Sequence, residues 1–259
     1  MTPEQRYFFD IAGYLHLENA LGEEELRKAR EAADRYMNTP PDQLPPGFEI
    51  DGWRHTHGFA FDKALEALAM HPSFWPIIRE LTYDRPRLGN GTLIVDRRRD
   101  SNSRLHCARE GYGWPSTRYG VRDGRIFCDD LVVFPYLDDV NPGDDGLVVV
   151  PGSHKAEFER PEQLYYDGLV TTEVPDGVVN VTPRAGDVVI ISELLTHGTM
   201  PWQPEDRVRR ALVLRFKTQN TGTLDFPPEV LERLSPRTRD LVEPASFNTV
   251  KEIVKEQLA

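Results

Sequence analysis

The chain has 259 residues, 39% hydrophobic and 10% aromatic, which is enough for one sizeable core and too little for several. Its 31 Lys and Arg against 42 Asp and Glu give a net charge of −11, which argues against a broad grip on a nucleic-acid polymer or an anionic membrane. The aliphatic runs at 147–150 and 188–191 are far shorter than the roughly 18 apolar residues of a spanning helix, so no membrane segment is expected.

Residues 1–10 carry charges and no apolar signal region, and two cysteines cannot make a disulfide framework; Cys107 and Cys128 are expected as reduced thiols of a cytoplasmic protein. From Pro3 to about Met37, apolar residues recur at helical spacing around the Ala12–Leu17 segment, which predicts helix, short strand, helix. Glu23, Glu24 and Glu25 fall where the second helix begins and suit its dipole. Four prolines make 39–46 a loop, and a further helix is expected over about 63–81.

Beyond Arg87 the pattern changes to short runs rich in Val, Ile, Leu, Phe and Tyr, broken by Gly, Pro and Asp: 91–96, 125–137, 146–150, 169–172, 178–181, 187–191 and 210–216. Helices do not alternate with these runs, so an antiparallel sandwich or barrel is expected rather than a parallel doubly wound sheet. Residues 227–259 return to helical periodicity and are expected to pack on the outer face of the β structure. The expectation is one domain over 1–259: a helical part over about 1–86, a β core over about 87–217 and a helical part over about 218–259.

Seven histidines are present, and two stand at the mouths of β elements. His106 follows Ser103-Arg104-Leu105, and His197 ends an apolar run and precedes Gly198-Thr199. Arg209 lies twelve residues beyond His197, about the length of a turn and a return along a neighbouring antiparallel strand, so its guanidinium is expected to face the same site. Imidazoles suit Fe(II), and a planar guanidinium suits a carboxylate.

With Pro151-Gly152-Ser153-His154-Lys155 before these residues, and Gly13-Tyr14-Leu15 and Leu21-Gly22-Glu23-Glu24-Glu25-Leu26 near the start, the chain resembles the phytanoyl-CoA dioxygenase family over roughly 9–216. The resemblance implies a mainly β fold with peripheral helices, a double-stranded β-helix or cupin-like jelly roll. It also implies an Fe(II)/2-oxoglutarate-dependent oxidoreductase that uses O2. His106 and His197 would hold the metal; Arg209 and Thr199 would hold 2-oxoglutarate, with Phe134 and Cys107 also assigned to the cosubstrate region. His154 is read as structural. His55 and His57 lie where the family often places a lid, which makes them candidate substrate contacts.

One departure from the family pattern carries most weight. Where the family reads His-x-Asp, this chain reads His106-Cys107-Ala108, and a methyl group cannot bind iron. Either another carboxylate serves, with Glu110, Asp129 and Asp130 as candidates, or an anion such as chloride takes the slot beside Ala108, as in halogenating relatives of this fold. The expected function is therefore an iron- and 2-oxoglutarate-dependent halogenase; the alternatives are a hydroxylase using another carboxylate or two histidines, and a non-catalytic jelly-roll binding protein. Arg97, Arg98, Arg99, Arg104 and Arg109 crowd around the first histidine in an acidic chain, which favours a small anionic substrate such as a nucleotide.

Overall fold

A computed structural model describes residues 1–98, 103–110, 117–161, 164 and 174–255. The expected strand at 169–172 and Arg99 lie outside the described residues. In chain order the strands are β1 (Tyr14–Leu17), β2 (Ile50–Asp51), β3 (Arg54–His55), β4 (Pro86–Asp96), β5 (Ser103–His106), β6 (Tyr119–Arg122) and β7 (Arg125–Cys128), followed by β8 (Asp130–Pro135), β9 (Gly146–Val149), β10 (Val179–Asn180), β11 (Val188–Ser192), β12 (His197–Met200) and β13 (Arg209–Thr218). All pairings are antiparallel. A seven-stranded sheet runs β1-β11-β8-β13-β4-β3-β2, a four-stranded sheet runs β10-β9-β12-β5, and β6 and β7 form a separate hairpin. This is the double-stranded β-helix with outer helices.

The alternation of side chains along a strand explains how one sheet serves two environments. On β13, Leu212, Leu214 and Phe216 enter the large apolar core, while Arg209, Ala211, Val213 and Arg215 line a cavity on the other face. On β4, Leu93 and Val95 join that core, and Asn90, Thr92 and Ile94 line the cavity. On β8, Leu131 and Val133 alternate in the same way with Val132 and Phe134. The core side is closed by helices at Pro3–Ala12, Glu23–Asn38, Trp75–Leu81 and Pro236–Val242, which supply Phe9, Ala29, Ala33, Tyr36, Trp75, Ile78 and Leu241.

The two N-terminal helices and the strand between them follow the sequence pattern. Thr2 caps the first helix reciprocally with Gln5, and Glu25 accepts a hydrogen bond from the Gly22 amide at the start of the second. The helix expected over 63–81 is instead three pieces: Lys63–Glu66, a 3₁₀ turn at Ala67–Met70, and Trp75–Leu81. Pro72 forces the preceding His71 into an extended conformation (ψ 134°), and Pro76 sits in the first turn of the last piece, where a missing amide proton costs nothing. The run 125–137 is also divided. Its first half folds back on β6 as a hairpin, and only the half from Asp130 enters the large sheet.

Candidate active site

Strands β12 and β5 place His197 directly opposite His106, and their rings stand 4.4 Å apart, centroid to centroid. The register slips between His197 and Thr199, a bulge that re-aims the side chains at the end of the pairing. Each imidazole is oriented by its own backbone: Nδ1 of His106 lies 2.7 Å from the carbonyl oxygen of Arg104, and Nδ1 of His197 lies 2.7 Å from that of Leu195. With Nδ1 engaged as a donor, Nε2 is the nitrogen that can ligate a metal, and the carbonyl contact fixes the tautomer. Burial, with His197 alongside, pushes the His106 pKa down to about 4, so its imidazole is neutral near pH 7 as ligation requires.

The turn at 151–155 sets the position of β12. The Val150 amide donates to the Thr196 carbonyl (2.8 Å), and the Thr196 amide donates to Ser153 Oγ (2.7 Å). The same turn meets the N-terminal motif: the Gly152 amide donates to the Ala12 carbonyl, and a Cβ at Gly13 (φ +80°) would run into the ring of His154. His154 is fully buried, edge-on to Tyr119, so two of the motifs read in the sequence pack on each other and on the turn that precedes β12.

The two histidines lie on a cavity of about 410 Å³ whose lining includes Trp53, Arg54, Phe134, Tyr136, Glu193, Thr199, Arg209 and Arg215. Arg209 reaches it by a different route from the one its spacing implies. β12 and β13 belong to different sheets, so the chain crosses the sandwich between them, and Arg209 faces the histidine sheet rather than returning beside it. Its Nε donates to Asp96 Oδ2 at 2.7 Å and Nη2 engages the same oxygen; Asp96 is its cross-strand partner on β4 and is fully buried. Burial opposes the charge on Arg209, but Asp96 outweighs it and raises the guanidinium pKa further. Gly146 has φ +91°, and a Cβ there would collide with Arg209 Nη1, so the absence of a side chain on β9 is what admits the guanidinium.

Glu193 did not stand out in the sequence. It follows β11, is 1% exposed, and has Oε1 2.8 Å from Arg215 Nη1 and 4.0 Å from His197 Nε2. Burial pushes its pKa up, yet Arg215 and His197 outweigh burial and hold the carboxyl below its ordinary value. A signal was present: a single acidic residue inside the apolar run from Val188 to Leu195 is unusual unless it is paired or used. Among the described residues, no three His, Cys, Asp or Glu side chains form a ready-made metal site.

Residues 9–211 match the phytanoyl-CoA dioxygenase (PhyH) family. The chain belongs to that family. Membership makes it an oxidoreductase, and its architecture agrees with solved structures. HygX from Streptomyces hygroscopicus with nickel and 2-oxoglutarate bound is 24% identical, over 84% of this chain and 87% of that one, with a TM-score of 0.67. SnoK, a non-heme alpha-ketoglutarate-dependent carbocyclase from nogalamycin biosynthesis, is 22% identical over 97% and 95%, with a TM-score of 0.63. The epimerase SnoN, in complex with Fe3+, alpha-ketoglutarate and nogalamycin RO, is 15% identical over 86% and 84%, with a TM-score of 0.60. At these identities the likeness is one of fold. No curated protein matches the sequence.

Within this PhyH fold the other singled-out residues are distributed as follows. Thr199 and Phe134 line the cavity with the histidines and Arg209. Cys107 is buried and borders a second depression that it shares with Arg109, Glu110 and Arg160. Arg97 and Arg104 are exposed, Arg98 pairs with Glu205 at the surface, and Arg109 donates to the carbonyls of Ser153 and His154; none of the four lines the histidine cavity. His55 packs edge-on against Tyr36, and His57 packs against Phe48 and Phe226. Of the acids weighed as a third ligand, Glu110 pairs with Arg160 at 2.7 Å, Asp129 accepts from the Arg118 amide, and Asp130 is buried near Lys217. Among the described residues no helix is long and apolar enough to cross a membrane.

Proposed function

We propose that this chain is an Fe(II)/2-oxoglutarate-dependent oxygenase that oxidises an unactivated carbon of a small molecule held in the histidine cavity. The observation that carries the reading is the cross-strand pairing of His106 and His197, each with Nδ1 on a backbone carbonyl, on a cavity whose other sheet presents Arg209. The donor set fits the group: two imidazoles suit Fe(II), and a buried guanidinium suits the distal carboxylate of 2-oxoglutarate, with the Thr199 hydroxyl beside it. Bound iron with 2-oxoglutarate and O2 supplies an oxidant able to remove hydrogen from carbon. The protein's part is to orient the imidazoles, anchor the cosubstrate and keep water from the reacting carbon, which the apolar side chains of Val132, Phe134, Leu147 and Val213 assist.

The substrate is a small molecule, and the guanidinium of Arg54 among the lining residues supports an anionic group on it, as on a nucleotide. A second reading, halogenation, is favoured by Ala108: it is buried, follows His106 by two residues and offers no carboxylate, so chloride could complete the metal's coordination. The buried thiols support a reducing, cytoplasmic setting.

The test is turnover of 2-oxoglutarate by protein loaded anaerobically with Fe(II) and then exposed to O2. Succinate release that disappears in His197→Ala is expected; equal release by that variant would overturn the reading. Mass spectrometry of product made in chloride and then in bromide separates the outcomes, since a halogen isotope pattern that follows the buffer requires halogenation.

A further inference from the structure

We infer that Glu193 supplies the carboxylate ligand that the His106-Cys107-Ala108 segment lacks. The inference rests on the reading that His106 and His197 hold iron, and four observations carry it.

The first is position. The Ala108 amide donates to the Glu193 carbonyl at 2.8 Å, so the residue whose side chain cannot ligate sits backbone to backbone with one whose side chain can. The second is reach: Glu193 Oε1 is 4.0 Å from His197 Nε2, within about 1 Å of the roughly 3 Å that separates adjacent ligand atoms each about 2.1 Å from one metal, a gap that a small side-chain movement closes. The third is environment. Both Glu193 oxygens are buried, and among the described residues neither has a hydrogen-bond donor in good geometry, although Arg215 Nη1 approaches to 2.8 Å. A carboxylate held only as a structural partner of Arg215 would be expected to accept directed, bidentate hydrogen bonds. The fourth is backbone anchorage: the Glu193 amide donates to the Asp130 carbonyl at 3.0 Å, which ties the residue to β8 while its own carbonyl is tied to Ala108. The residue thus links β8 of the large sheet to the turn that follows β5 and His106.

The carboxylate has in effect moved from one strand end to the facing one. Ala108 and Glu193 together provide what His-x-Asp provides on a single segment, and the longer Glu side chain compensates for the more distant backbone. The oxygen 4.0 Å from His197 Nε2 is also the one 2.8 Å from Arg215 Nη1, so on this account the metal would take the place of Arg215 on Oε1. On this account the slot beside Ala108 is filled by protein rather than by halide, which favours oxygen insertion over halogenation.

The test is anaerobic titration of the purified protein with Co(II), followed by calorimetry and by the visible absorption of the bound ion, with no turnover required. Glu193→Ala is expected to weaken Co(II) binding about 30-fold or more, and Glu193→Gln, which keeps the volume, to weaken it as well. Adding Ala108→Asp to Glu193→Ala should restore affinity to within about threefold of the parent, because the carboxylate returns to the same place from the other segment. Thermal melting of each variant shows that it is folded, and Glu193→Gln stands in if the alanine variant is not. Parental Co(II) affinity in folded Glu193→Gln and Glu193→Ala would overturn the inference. So would a parent spectrum that changes on titration with chloride, since that places an anion where the carboxylate should be. His197→Ala separates the two levels: if it too binds Co(II) like the parent, the iron reading itself fails, whereas loss in His197→Ala with no loss in Glu193→Ala removes Glu193 alone.

Discussion

The two faces of strands β4, β8 and β13 are built from alternate residues of the same chain, yet they obey opposite rules. One face, with Leu93, Leu131, Val133, Leu212, Leu214 and Phe216, is dry, apolar and covered by helices. The other carries Arg209 with Asp96 and Arg215 with Glu193 in a cavity. Buried ions contribute little net stability, because desolvation offsets most of their attraction, whereas apolar burial contributes about 25 cal/mol per Å². The apolar face therefore holds the fold, and the ionic face is retained for what it binds.

Changes on the two faces should be separable, and the largest expected effect is on the apolar one. Phe216→Ala removes a fully buried ring and should cost about 3–5 kcal/mol in urea denaturation while leaving Co(II) affinity of the folded fraction unchanged. A loss of metal affinity of the same size would mean that the faces are mechanically coupled.

On the opposite side, His197→Ala should lower metal affinity about 100-fold, roughly 3 kcal/mol, with a change in unfolding free energy below about 1.5 kcal/mol. Calorimetric titration against chemical denaturation checks the pair of values. Gly146→Ala tests the fit around Arg209: a side chain at φ +91° that collides with the guanidinium should cost about 1–2 kcal/mol of stability and weaken 2-oxoglutarate binding about tenfold. Unchanged cosubstrate affinity would remove Arg209 from that role. Arg209→Ala is a poorer probe, since it would leave Asp96 as an unpaired buried charge. The smallest effect is expected at the exposed Arg54, where Arg54→Ala should shift stability by no more than about 0.5 kcal/mol and raise the KM of an anionic substrate several-fold.

This division also explains what was legible in the sequence. Short runs rich in Val, Ile, Leu and Phe, broken by Gly, Pro and Asp, mark strands, so β4, β8, β11 and β13 are legible in the residues, and so are the first two helices from their 3.6-residue period. The short β5 and β12 carry few apolar residues, and their identity as strands comes from pairing with each other and with β9. His106 and His197 were visible through their flanks. Asp96 was not, because what marks it is a partner 113 residues along the chain, Arg209; Glu193 was marked only by its place in an apolar run, and its partner Arg215 lies two strands away in the same sheet. The twelve-residue spacing from His197 to Arg209 brings the guanidinium to the cavity through a crossing between sheets, and spacing alone does not distinguish such a crossing from a hairpin.

The hydrogen bond from the Ala108 amide to the Glu193 carbonyl has an evolutionary corollary. Two positions 85 residues apart in the chain and joined at the backbone are free to exchange a function without passing through an inactive intermediate, provided the second acid appears before the first is lost. Sequences that share this fold should then show reciprocal occupancy: an acid at the position of Glu193 where that of Ala108 is small, and a neutral residue there where the His-x-Asp pattern is intact. A catalogue of active members compiled from the His-x-Asp signature alone would discard chains of this kind as degenerate.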